Sequence, residues 1–217
     1  MAAALSVPHT ARGHEVITTK LTWSKEVSRI VYARCAQCHR PGGAAFSLLK
    51  YEEARPWAKA IQEQVLTRQM PPWNAVKGFG DFAPDYGLAQ EEIATISSWV
   101  EGGAPEGDPN HLPPLPPLQS LQPNTRKQTT SPLVVSKTMR LPRPIRLLAI
   151  EPTAMQAGSS AKLFAVLPDG ETLPLIWIRD YSPKANRHYT LAESLRLPAG
   201  TRLHLEGVGA FRLRLSM

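Results

Sequence analysis

Residues 34–40 read Arg34-Cys35-Ala36-Gln37-Cys38-His39-Arg40, and they hold both cysteines of a 217-residue chain. A disulfide across a two-residue gap closes too small a loop to stabilise much. A structural zinc site needs about four protein ligands, and no second cysteine pair or His-x₃₋₅-His run supplies the rest. A thioredoxin-like redox pair expects a βαβ setting, whereas helical patterns flank this stretch on both sides. The third reading is covalent haem attachment. Two thiols at this spacing reach the two vinyl groups of one porphyrin, and the histidine that follows falls beneath the iron as proximal ligand. Cys35, Cys38 and His39 are the candidates for those roles.

Working outward, the periodicity predicts three helices. Trp23–Arg34 places Val27, Ile30 and Val31 on one face behind Ser24 as N-cap. Pro56 suits the first position of a second helix running to about Arg68, with Trp57, Ile61 and Val65 as its apolar stripe. Pro71 and Pro72 end it at Met70. Leu88–Glu101 is the third, with Glu91 and Glu92 in its first turn and Gly102-Gly103 beyond its end. The stretch 73–87 has glycines and no period, so it reads as a loop.

The remaining organisation follows from composition. Ten prolines fall between Pro105 and Pro144, including LPPLPPL at 112–118, which reads as a polyproline-type spacer. Beyond it the period becomes two. Strands are expected at Ile145–Glu151, Lys162–Leu167, Thr172–Ile178, Thr201–Glu206 and Ala210–Ser216, with Pro168-Asp169-Gly170 and Pro198-Ala199-Gly200 as turns. The expected fold is therefore two domains, an N-terminal all-α unit and a small C-terminal antiparallel β-sandwich. The boundaries are 1–21 for a flexible tail or signal remnant, 22–104, a 105–144 linker, and 145–217. No apolar run reaches the ~18 residues a membrane helix requires. Residues 1–110 carry 11 Lys/Arg against 12 Asp/Glu, and residues 111–217 carry 14 against 6, so the basic excess lies in the second half.

The sixth iron ligand is expected on the opposite haem face. Met1 and Met217 are terminal, and Met139 and Met155 lie beyond the spacer. Met70 is the methionine of the helical unit, and a Met/His pair is the standard ligation of electron-transfer haem c. A core-filling role for Met70 is the bland alternative. His9, His14 and His111 are further ligand candidates. Trp57, Trp73, Trp99 and Tyr51 read as core or haem-wall residues, and Arg55 and Trp73 as partners of the propionates.

With those residues placed, a resemblance emerges. Residues 22–109 resemble a monohaem c-type cytochrome domain of bacterial multidomain secreted proteins, on the strength of TWSKEV, CAQCHRPG, SLLKYEEARPWAKAI, LTRQMPPW and ISSWVEGGAPEGDP. The resemblance implies Met70 as axial ligand, one covalent haem c, and a periplasmic or secreted location. IRLLAIEPTAM, LFAVLPDG and YTLAESLRLPAGTRL, within 145–207, resemble the C-terminal piece of copper type II ascorbate-dependent monooxygenases. There the family's His-x-His copper motif is replaced by Thr153 and Met155, and a mononuclear copper needs several fixed N or S donors. The expectation is an electron carrier rather than an enzyme, with a basic β-unit that docks an acidic redox partner or an anionic membrane surface. Arg140, Arg143, Arg146, Arg212 and Arg214 would carry the docking. A haem-to-copper oxidoreductase and a haem-based gas or redox sensor are the alternatives. Nucleic acid is not an expected partner.

Overall fold

The computed structural model describes residues 20–117, 132–185 and 188–216. The expected 1–21 tail, His9, His14 and the middle of the 105–144 spacer lie outside the described residues, apart from Lys20 and Leu21.

The helices are short. A single π-turn, Trp23–Val27, leads into α1, Ser28–Arg34; α2 is Tyr51–Ala54; α3 is Ala58–Leu66, entered through a 3₁₀ turn at Arg55–Trp57; α4 is Gln90–Glu101. Thr22, not Ser24, caps the first of them. Its hydroxyl accepts from the Lys25 N–H, while the Glu26 carboxylate accepts from the Thr22 N–H at 2.9 Å, so two otherwise unpaired donors are satisfied reciprocally. Ser24 is instead fully buried. Glu92 does the equivalent work for α4, accepting from the Ala89 N–H at 2.7 Å, which compensates for an alanine at the cap. Trp23, Val27, Val31, Leu48, Ile96 and Trp99 are the centre of the helical core, and the Trp99 indole N–H donates to Pro105 O at 2.9 Å.

Eight strands follow: β1 Leu133–Val135, β2 Met139–Arg140, β3 Ile145–Pro152, β4 Ala161–Val166, β5 Thr172–Ile178, β6 Tyr189–Leu197, β7 Arg202–Gly207 and β8 Phe211–Ser216. They form two antiparallel four-stranded sheets, ordered β1-β8-β3-β6 and β2-β7-β4-β5. Leu147, Ile150, Leu163, Ile176, Leu203 and Phe211 meet between them. Strands β1 and β2 come from residues whose composition reads as spacer.

The expected fold class has to be corrected. The first half is not an all-α domain set apart from a sandwich. Between α3 and α4 the chain leaves the helical core and joins the sheets. Ala75 bridges Ile178, the Val76 N–H donates to Trp177 O at 2.9 Å, Phe82 bridges Leu191, and the Ala83 N–H donates to Thr190 O at 3.0 Å. β5 and β6 are edge strands of different sheets, so residues 74–83 act as a strap across both open edges. Trp73, Ala75 and Phe82 are buried with the strands, not with the helices. The physical reason is unpaired backbone: an exposed edge presents a row of free N–H and C=O groups, and the strap satisfies part of it. Gly80 makes the crossing feasible, since its φ is +80° and a Cβ there would meet Leu175 O at 2.3 Å.

Phe82 contacts Trp73 and Tyr189, with ring centroids 6.3 and 5.5 Å away. Phe82→Ala should cost about 3–5 kcal/mol in urea unfolding, as expected for a buried aromatic removed from a core. Amide exchange at Ala83 and Ala192 should accelerate with it. A loss below about 1 kcal/mol would show that the strap contributes little to the sandwich.

Candidate functional site: the Cys35–His39 loop

The loop begins where α1 ends. The Cys35 N–H still donates to Val31 O, and the Cys38 and His39 N–H groups both donate to Cys35 O, at 3.1 and 2.9 Å. The segment 45–48 then clasps it: the Ala45 N–H donates to Cys38 O and the Leu48 N–H to His39 O. Gly43 permits that approach, because a Cβ on it would meet Cys38 O at 2.3 Å. Glu53 anchors the other end of the clasp. It accepts from the Ser47 hydroxyl at 2.5 Å and from the Leu49 and Lys50 N–H groups at 3.1 Å each. The Ser47 bond is the largest cause holding the Glu53 carboxyl below the usual carboxylate range; burial opposes it, and the backbone bonds add to it.

The His39 ring has a defined orientation. Its Nδ1 lies 3.0 Å from Phe46 O. A carbonyl only accepts, so Nδ1 carries the proton and Nε2 keeps its lone pair for a ligand. The Phe46 ring stands edge-on to the imidazole, with centroids 5.1 Å apart, and Trp57 lies 4.9 Å beyond Phe46. These two rings are about half exposed, Phe46 at 52% and Trp57 at 48%, as are Leu66 at 55% and Met70 at 42%. Side chains of this size are seldom left open to water in one short segment, 46–70.

The two thiols are free and half-buried. Burial pushes the Cys35 thiol up to about 12; Glu92 and Cys38 add to the effect, and Arg34 opposes it. A redox-active or zinc-binding cysteine requires the reverse, a thiolate favoured at neutral pH. Tyr86 is raised too, first by burial and then by Cys38, with a hydrogen bond from Gln37 opposing. Tyr86 also packs against Trp73 at 5.7 Å, and Trp73 against Tyr189 at 4.8 Å. The strap therefore touches the cysteine loop on one side and the sheets on the other.

The structure thus brings Cys35, Cys38 and His39 into one loop, with Phe46 and Trp57 beside the imidazole. Arg55 is exposed at the turn that carries Trp57 and has no ion-pair partner among the described residues. Met70 is tied through its backbone N–H to Gln64 O, and its side chain is partly exposed. Trp73 lies in the sandwich core. Sequence reasoning missed Phe46, whose carbonyl and ring fix His39; it lies outside every periodic segment. It missed Tyr86 for the same reason.

The expectation of a metal-binding cytochrome c must be corrected as it stood. The described residues form no separate all-α unit, only short helices joined to two antiparallel sheets. Among the described residues, no three His, Cys, Asp or Glu side chains come together as a set that could hold a metal ion. Among the described residues, the copper alternative finds no clustered donors either. The Thr153 hydroxyl donates to Ala210 O, Met155 packs near Gly209, His188 binds Glu151 at 2.6 Å, and His204 lies beside Phe164 and Glu206. What the loop offers is narrower: one oriented imidazole and two free thiols in a Cys-x-x-Cys pair, a donor set that suits a covalently held haem better than a bare ion. No family model, no curated protein and no solved structure matches the chain.

In chain made without haem, Cys35 should react with iodoacetamide at pH 8 roughly a hundredfold more slowly than free cysteine, because the thiolate is the nucleophile. Peptide mapping reads the rate, and a rate equal to that of free cysteine would contradict the buried, neutral thiol. A second outcome concerns Glu53. Its stabilising contribution is complete above the unfolded carboxyl pKa and lost as pH falls through its lowered folded value. Glu53→Gln should therefore flatten the stability profile in the acid range below about pH 4.5. An unchanged profile would contradict the clasp.

Proposed function

We propose that this chain is an extracytoplasmic monohaem protein, with its haem attached through Cys35 and Cys38, that carries single electrons. The observation that supports it most is the His39 ring, held by Phe46 O so that Nε2 is left for a ligand, directly after a Cys-x-x-Cys pair whose two thiols are free. The attachment is local to one loop, so it does not call for an all-α fold. When bound, the haem iron would supply a one-electron couple. His39 would be the proximal ligand and Met70 the opposite one, while Phe46 and Trp57 would cover the porphyrin edge from water. Arg55, exposed at the turn that carries Trp57, is the proposed propionate partner; Trp73, expected in that role from the sequence, is instead buried with the strands. Two protein ligands would leave no open position for substrate, which favours a carrier over an oxidase. The sandwich is the part proposed to dock an acidic redox partner or an anionic membrane surface, and the location proposed is periplasmic or secreted. No helix among the described residues is long and apolar enough to cross a membrane.

The test is spectroscopic. Protein matured in a host equipped for covalent haem attachment should give a low-spin spectrum in both oxidation states, unchanged by CO. Met70→Ala should keep its haem but lose thioether ligation, bind CO and fall in midpoint potential, since a thioether ligand raises it. A wild-type reduced spectrum that shifts readily with CO would favour a gas sensor. A Met70→Ala protein with wild-type potential would remove Met70 from the site.

A further inference from the structure

The arginines of the sandwich separate into two sets. Arg212 and Arg214, on β8, are both ion-paired to one carboxylate: Arg214 reaches Glu151 Oε1 at 2.6 Å, Arg212 reaches Oε2 at 3.8 Å, and His188 shares the same group. The other set has no such partner. Arg146 on β3 stands directly opposite Arg196 on β6, and Arg140 on β2 directly opposite Arg202 on β7. Directly opposed residues project on the same face, and like charges there destabilise the sheet. Two such pairs, one in each sheet, are a recurrent cost.

Both pairs lie at the same end of the molecule. The link Leu141–Pro144 joins Arg140 to the strand of Arg146, and the turn Pro198–Thr201 joins the strand of Arg196 to Arg202. The two connections are hydrogen-bonded together, Leu141 N–H to Thr201 O at 2.9 Å and Gly200 N–H to Leu141 O at 2.8 Å. Arg143 stands between Pro142 and Pro144 on the first of them. All five arginines are exposed, and none forms an ion pair among the described residues. The neighbouring β4–β5 turn contributes Asp169 and Glu171, and neither is paired with an arginine. The end is therefore basic by composition. It is also held in shape, because Arg140 donates to Gly200 O at 3.2 Å.

We propose that this end of the sandwich docks on an anionic phospholipid surface through Arg140, Arg143, Arg146, Arg196 and Arg202. The partner follows from the chemistry. Guanidinium groups match phosphate oxygens bidentately. The end is built of two hydrogen-bonded, proline-containing connections flanked by exposed arginines, which suits an extended charged surface. A surrounding layer of phosphates also removes the repulsion within both arginine pairs. The proposal takes up the reading of the sandwich as a docking part and does not depend on the haem.

Co-sedimentation of the full chain, purified from a host able to attach haem covalently, with vesicles tests it. Binding is expected to vesicles containing phosphatidylglycerol, to be weak with phosphatidylcholine alone, and to fall as salt rises. Arg146→Gln with Arg196→Gln, and separately Arg140→Gln with Arg202→Gln, should each weaken binding roughly 30-fold, since each cation near such a surface contributes about one kcal/mol and 1.4 kcal/mol is tenfold. The thermal midpoint of the Arg146/Arg196 double variant should equal or exceed that of the parent, because a repulsive pair has been removed, whereas the Arg140/Arg202 variant also gives up the bond to Gly200 O. Arg212→Gln with Arg214→Gln should change binding far less. No binding to phosphatidylglycerol vesicles, equal binding to phosphatidylcholine, or double variants that bind like the parent would overturn the proposal. Salt-sensitive binding to polyglutamate in the absence of vesicle binding would overturn it in favour of an acidic protein partner. Haem absorbance in the same samples reports separately on the electron-carrier reading.

Discussion

The structure depends on residues 74–83 pairing with the open edges of both sheets. β5 and β6 belong to different sheets, and without the strap each would present unpaired backbone to solvent at the same side of the sandwich. The same crossing delivers Trp73, Ala75 and Phe82 into the apolar space between the layers. Because the strap is the connection between α3 and α4, the helical part cannot be cut away without removing core from the strands. Its other flank, through Tyr86, bears on Gln37 and Cys38. One loop therefore serves the cysteine loop and the sheets together.

That dependence explains which parts were legible in the sequence. Val27 and Val31, or Ile93, Ile96 and Trp99, recur at helical spacing because each covers one side of a local core. Phe211, Leu213 and Leu215 alternate with Arg212 and Arg214 because one face of β8 is buried and the other wet. The strap has no period, since it touches the sheets through a few single residues separated by glycines. Its composition reads as a loop, and only the tertiary partners make it part of a sheet. β6 was missed because Tyr189–Leu197 mixes helix-forming Ala, Glu and Leu with an irregular stretch opposite Leu148, where its pairing with β3 shifts register. β1 and β2 were hidden by flanking prolines.

The candidate site shows the same division. Cys35, Cys38 and His39 are set by covalent spacing, which sequence displays directly. The orientation of His39 is set by a carbonyl at Phe46, and any residue type can supply a carbonyl. The state of the Cys35 thiol is set by burial and by Glu92, which is remote in sequence and near in space. The split of the arginines is equally a matter of register. Arg212 and Arg214 look as available as Arg146 until β3 places Glu151 beside them, while Arg196 and Arg202 become notable only because β3 and β2 place like charges opposite them.

The account rests most heavily on sulfur–carbon bonds at positions 35 and 38, and intact mass spectrometry under denaturing conditions measures them directly. Protein from a host able to attach haem covalently should weigh one haem more than its polypeptide, and Cys35→Ala with Cys38→Ala should return it to the polypeptide mass. An unmodified mass for the parent chain, with colour absent or lost on denaturation, would contradict it.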